Sequence, residues 1–192
     1  MAVFWGTPIW DLLIKDQASI DSFLELAYKA KAIGKENNRS NAGNAWHSET
    51  NFAGPTQKLP IAKEVMDNFK ACAWDYGYKL AGPAKLSYWT IISTKYGYNK
   101  RHNHPGSLLS AVVYLQVPEK SGRIIFTDPR PCRIMETGFN RTQESKLASI
   151  TFEPKVGLML VFPSWLEHEV EMTLSDEDRV IASFNLTPLE SP

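Results

Sequence analysis

From Pro83 onward the chain is a succession of short segments rich in β-branched and aromatic residues, and this feature narrows the fold most. KLSYWTIISTKY, SLLSAVVYLQV, GRIIFTD, ASITFEP, GLMLVFP, HEVEM and RVIASFNL, punctuated by glycine and proline, read as about seven strands. Residues 3–14 add an opening strand around Pro8. Gln17 to Ile33 carries Ile20, Phe23, Leu24, Leu26, Ala27 and Ala30 at amphipathic helical spacing, ended by Gly34. A second helix is expected from Pro60 to Leu80, with Ile61, Val65, Phe69, Cys72 and Tyr76 on one side, Pro60 in its first turn and Gly82 at its stop. Between them, Lys35 to Pro60 turns to Asn, Ser, Gly, Thr and Pro and reads as a long surface excursion, either a lid or a passive loop. Two helices followed by strands predict an α+β, mainly β fold, with the helices bracing one face of an antiparallel barrel or sandwich.

A chain of 192 residues, 43% hydrophobic, can bury one substantial core and is short for two, so a single domain is expected over residues 1–192. Its 21 basic and 21 acidic residues leave no net field to draw nucleic acid or an acidic membrane surface. Cys72 and Cys132 lack the spaced partners of a zinc ribbon and read as free thiols in a reducing compartment. No run approaches ~18 apolar residues, and the start MAVFWGTPIWDLLIKD lacks the pattern of a secretion signal, so no membrane partner and a cytoplasmic location are expected. The opening MAVFWG could pair with another chain's sheet edge, which leaves homo-oligomerisation open.

Of four histidines, three fall in the strand region: His102, His104 and, far along the chain, His168. In extended backbone, residues i and i+2 share a side, so His102 and His104 can converge on one point, which His168 could reach from a neighbouring strand. Three imidazoles on strands form a facial metal set that leaves other coordination positions open, a catalytic style of site rather than a structural one. The plainer alternative is a solvated HNH turn and an unrelated His168.

The runs YGYNKRHNHPGSLLSAVVYLQVPEKSGRIIFTD and VGLMLVFPSWLEHEVEMTLSDEDRVIASFNL resemble the core of the 2-oxoglutarate and iron(II)-dependent oxygenases, over roughly Leu86 to Leu186. NRSNAGNAWHSETNF, HNHPGSLLSAVVYL, FTDPRP and RVIASFN resemble, more narrowly, a group of small oxygenases of this kind from bacteria and phages. The resemblance implies a double-stranded β-helix (a jelly-roll or cupin-like barrel) over 83–192, with 1–82 supplying the opening strand, helices and lid-like loop. It also implies iron(II) on His102, His104 and His168, with 2-oxoglutarate and O2 as co-substrates of a hydroxylase whose primary substrate is unknown. If phage-encoded, the protein would work in the host cytoplasm.

Arg179 follows His168 by 11 residues, where the resemblance places the arginine that grips the distal carboxylate of 2-oxoglutarate. A planar guanidinium suits that bidentate task, although an ion pair with Asp176, Glu177 or Asp178 is the ordinary alternative. By the same resemblance Tyr114 would meet that carboxylate, and either Tyr96 or Tyr98 would contact the cofactor. One departure matters, because the superfamily has a carboxylate where this chain has His104. A third imidazole raises the charge of the site and suits zinc as well as iron. Asp128 in FTDPRP is the acid that could replace it or orient a histidine, unless it simply starts a turn before Pro129. His47 lies outside the strand region and suits a surface or substrate-facing role, and Trp165 could pack beside the metal or shape the substrate entrance. Two further readings stay open: a three-histidine cupin-like metalloprotein without 2-oxoglutarate, and a non-catalytic binding module on the same fold.

Overall fold

The computed structural model describes residues 6–37, 41–80, 82–130 and 149–189, and Cys132 lies outside them. Along the chain run β1 (Trp10–Leu13), α1 (Gln17–Ala32), β2 (Ala42–His47), a 3-10 turn (Thr56–Lys58), α2 (Ala62–Asp75), β3 (Ala84–His102), β4 (Leu109–Gln116), β5 (Ile124–Thr127), β6 (Ser149–Phe152), β7 (Leu158–Pro163), β8 (His168–Val170) and β9 (Arg179–Pro188). The seven expected strand segments are therefore β3 to β9.

The strands form one antiparallel sheet in the order β1-β7-β4-β9-β3-β8-β5-β6, with β2 added beside β3. The long β3 makes the sheet curl. Its first half pairs with β9 over Ala84 to Ser93, and its last residues pair with β8 at Asn99 and His102. Between these stretches Tyr96 has φ +67°, a break in the regular pleat that lets one strand serve two halves of a barrel.

Side chains alternate across a strand, and the central strands bury both faces. One face of the sheet presents Leu86, Tyr88, Val113, Met159, Ala182 and Phe184 to the helices. The other presents Trp89, Val112, Tyr114, Leu160, Phe162 and Ile181 to the barrel interior. Phe23 of α1 is fully buried on the helix side, its ring 6.1 Å from Phe52, 6.2 Å from Tyr88 and 6.1 Å from Phe184.

Helix α1 starts where expected, because Asp16 caps it by accepting from the Ser19 N–H at 3.3 Å. Helix α2 is shorter at both ends than its apolar pattern suggests: Ile61 is its N-cap, and the chain reverses at Gly77 (φ +89°), five residues before Gly82. The opening strand is confined to Trp10–Leu13 and forms the sheet edge on β7. The largest difference is β2, which lies inside the segment expected to be a surface loop. Its sequence, AGNAWH, has weak strand propensity, and pairing with β3 overrides it. Gly43 is needed there, since a Cβ at that position would lie 2.4 Å from the Tyr98 ring. Among the described residues, no helix is long and apolar enough to cross a membrane.

Candidate metal centre and its cavity

His102 ends β3 and His168 opens β8, and the two are direct partners in the antiparallel register. Their rings are 4.3 Å apart. His104 lies two residues beyond the strand, where its backbone N–H donates to the Ser164 carbonyl at 2.8 Å and holds the loop against the end of β7. Its ring is 5.2 Å from each of the other two. One ligand nitrogen from each of the three lies within 4.8 Å of the others.

Two backbone carbonyls fix the imidazole tautomers. His102 Nδ1 is 2.7 Å from the Lys100 oxygen and His168 Nδ1 is 3.0 Å from the Leu166 oxygen, so each Nδ1–H donates, and in the neutral ring the lone pair falls on Nε2. Burial pushes the His168 pKa down to about 3, and the neighbouring His102 and His104 add to the effect. His168 is thus a neutral donor, with Phe162 and Phe126 at 4.7 and 5.7 Å. Three such nitrogens can hold a first-row divalent metal.

Asp128 is placed differently. Its Oδ1 accepts from the Arg130 backbone N–H (3.0 Å) and Nε (2.9 Å), and its Oδ2 from Nη2 (2.6 Å). That is an Asx turn closed by an ion pair, and among the described residues the metal-binding cluster contains histidines only.

Arg179 opens β9 and is 1% exposed. Among the described residues its Nε and Nη1 have no hydrogen-bond partner, and its guanidinium carbon lies 5.2 Å from the centre of the Tyr114 ring. The acids beside it are engaged elsewhere: Asp176 with Lys95 at 2.7 Å, and Asp178 with Lys31 and Tyr28. Tyr114 is fully buried, and its hydroxyl also lacks a partner. Burial raises its pKa, and the neighbouring Arg179 opposes the shift. A buried guanidinium with unpaired N–H groups is costly unless an anion completes it.

The three histidines and Arg179 line one cavity of about 580 Å³, bounded by both halves of the barrel. Tyr96 and Tyr98 do not line it. Tyr96 is 51% exposed and Tyr98 packs on Gly43, lining an outer groove with Arg101, Glu169 and Met172. Past the irregularity at Tyr96, Asn99 is the residue of this segment that faces the cavity. Asn41, His47 and Thr50 join the wall, so part of the expected lid is a paired strand flanking the site. His47 is 6% exposed and stacks near-parallel to Trp89 at 6.0 Å, which makes it a cavity residue rather than a surface one. Trp165 is 45% exposed, and its indole N–H donates to the Tyr76 hydroxyl on the protein surface. Sequence reasoning missed Asn185 on the cavity wall and the buried Ser110 and Ser164 hydrogen-bonded behind it. The only signal was polarity at isolated positions inside apolar strands.

A family model described as "Putative 2OG-Fe(II) oxygenase" matches residues 87–185. Among solved structures, a Pseudomonas putida prolyl-4-hydroxylase superposes with a TM-score of 0.69 at 14% identity, covering 96% of this chain and 94% of its own. The non-haem α-ketoglutarate-dependent epimerase SnoN from nogalamycin biosynthesis gives 0.63 at 16% identity, covering 94% and 78%. HygX from Streptomyces hygroscopicus, solved with nickel, 2-oxoglutarate and hygromycin B, gives 0.60 at 12% identity, covering 95% and 83%. At these identities the likeness is one of fold, the curled antiparallel double-stranded β-helix with two bracing helices. No curated protein matches significantly. The family match spans the strands that carry the histidine cluster and the buried arginine, and the chain belongs to the 2OG-Fe(II) oxygenase family.

Proposed function

We propose that this chain is a 2-oxoglutarate-dependent hydroxylase that holds iron(II) on His102, His104 and His168 and clamps 2-oxoglutarate with Arg179 and Tyr114. One observation carries the reading: a fully buried guanidinium with two unpaired N–H groups shares a cavity with three converging imidazoles. The donor set fits a divalent metal, and the orphaned Arg179 and Tyr114 groups fit a carboxylate. When bound, iron(II) and 2-oxoglutarate supply the oxidising chemistry by which one atom of O2 enters a substrate C–H bond while the other leaves in succinate, with release of CO2.

The remaining work belongs to the chain itself. Lys100 and Leu166 carbonyls hold His102 and His168 by Nδ1, which leaves Nε2 of each neutral ring for the metal position. Arg179 would grip the distal carboxylate in a dry environment where the ion pair is strong, and Tyr114, whose ring centre lies 5.2 Å from the guanidinium carbon and whose hydroxyl is orphaned, would donate to the same group. Phe126, Phe162 and Ile181 keep water from the reacting centre.

The test is anaerobic titration of iron(II) and 2-oxoglutarate, followed by the weak visible charge-transfer band of the chelate. The band is expected with the native protein and should be lost in Arg179→Ala, and a product one oxygen heavier distinguishes hydroxylation from epimerisation or ring closure. A second reading, a three-histidine metalloprotein that does not use 2-oxoglutarate, is favoured by the lack of a carboxylate in the described cluster. Bound metal with no response to 2-oxoglutarate would select it.

A further inference from the structure

The cavity wall carries a polar row that neither the metal cluster nor the proposed cofactor clamp uses. Along β9, alternate residues Arg179, Ile181, Ser183 and Asn185 line the cavity. Asn185 is six residues from Arg179, roughly 20 Å along an extended strand, beyond the reach of a five-carbon diacid held at Arg179.

The orientation of the Asn185 amide is set from behind. Ser110 Oγ donates to Asn185 Oδ1 at 2.8 Å and lies 2.7 Å from Ser164 Oγ. A hydroxyl has a single proton, so with that of Ser110 directed at Asn185, Ser164 donates to Ser110. Ser110 and Ser164 are 1% and 0% exposed and cannot turn to water instead. With Oδ1 engaged, the Asn185 Nδ2 group, which makes no hydrogen bond to the described residues, is the part of the amide left for the cavity. Ser164 also holds His104 through its carbonyl, so one residue braces both the candidate metal ligand and, through Ser110, the amide.

The surroundings of Asn185 restrict what it can receive. Ser87 lies opposite Asn185 in the β3–β9 register, and Ser183 is the next inward residue on β9. Both line the cavity with hydroxyls that make no hydrogen bond among the described residues, and Trp89 adds a flat apolar wall. Among the described residues lining the cavity, Arg179 alone carries a permanent charge. A carboxylate would therefore be drawn to Arg179 or to a metal on the histidines rather than to Asn185, and an ammonium would meet no carboxylate and be repelled by both cations.

We propose that Asn185 is a substrate-binding residue, and that the group brought beside the metal is uncharged and presents a carbonyl or amide oxygen to Asn185 Nδ2. Ser110 and Ser164 are positioning residues for that contact. The inference rests on the reading above, which reserves Arg179 for the cofactor.

The test is a titration of the zinc-loaded full chain, isotopically labelled, with N-methylacetamide, propionate and butylammonium in the millimolar range, followed by ¹H–¹⁵N spectra. The Asn185 side-chain NH2 pair is identified by its loss in Asn185→Asp. N-methylacetamide should shift that pair, whereas propionate should shift the Arg179 Nε–H instead. Ser110→Ala, with folding verified by thermal melting, should weaken the amide response about tenfold by releasing Asn185. Asn185→Asp, a change at a half-buried position that replaces a donor by an acceptor, should reverse the preference toward butylammonium, read from the Trp89 indole N–H. The inference is overturned if a charged probe shifts the Asn185 pair more than the amide does, if the amide leaves it unmoved, or if Ser110→Ala changes nothing. The titration uses neither iron nor 2-oxoglutarate, so an amide response without the charge-transfer band would sink the oxygenase reading and leave the amide site standing.

Discussion

Replacing Arg179 by methionine should stabilise the protein in the absence of 2-oxoglutarate and abolish its stabilisation by that ligand. The side chain is 1% exposed, and its Nε and Nη1 are unpaired. Each buried unsatisfied donor costs about 1–3 kcal/mol. The guanidinium recovers part of this from the Tyr114 ring 5.2 Å away, about 1–2 kcal/mol for a desolvated cation–π pair. Methionine fills a similar length with no polar atom, so the net gain should be about 2 kcal/mol, within the range seen when buried charges become apolar. For a chain of this size that raises the melting temperature by roughly 4–8 °C. With 2-oxoglutarate at a hundred times its Kd, the native protein gains about 2.7 kcal/mol while the variant gains nothing, so the order of melting temperatures narrows or reverses. Differential scanning calorimetry in carboxylate-free buffer, with and without the ligand, measures both terms. If Arg179→Met melts below the native protein without ligand, the guanidinium is satisfied within the fold and the argument for an anion site collapses.

Other consequences are equally direct. His104→Asp removes one unit of positive charge from the site and should tighten iron(II) by on the order of tenfold, about 1.4 kcal/mol, in a metal titration; weaker binding would mark His104 as the better native ligand. Phe23→Ala opens a cavity among Phe52, Tyr88 and Phe184 and should cost about 3–5 kcal/mol in urea unfolding, with the slope unchanged. Hydrogen bonds from Arg123 lower the Glu171 pKa, so this pair stabilises the fold above the unfolded carboxyl pKa and ceases to do so as pH falls through the folded one. Native protein and Glu171→Gln should therefore differ slightly in stability at neutral pH and converge in acid, and a gap that widens on acidification would contradict this sign.

Much of the local structure was legible before any coordinate, because periodicity and caps act over a few residues. The seven strand segments, the start of α1 and the pairing of an H-x-H with a distant histidine all follow from spacing of that kind. The 11-residue interval from His168 to Arg179 was legible only through the family resemblance, and the expectation that the two residues sit on adjacent strands is corrected by the topology, in which β3 lies between β8 and β9.

What only the tertiary structure decided depends on segments far apart in the chain. AGNAWH became a strand because β3 offered it an edge, and that decided between the surface and substrate-facing roles open to His47 by putting it on the cavity wall. The irregularity at Tyr96 turned both candidate tyrosines away and Asn99 inward, a change of facing that no alternating pattern carries. Asp128 was drawn to Arg130, and the orphaned Nε and Nη1 of Arg179 became visible only once its neighbours were placed. Sequence alone determined which segments are strands and which residues have metal-binding or anion-binding chemistry, because both are properties of short stretches. Folding decided which of those groups face one another, because facing depends on register between strands that the chain itself keeps apart.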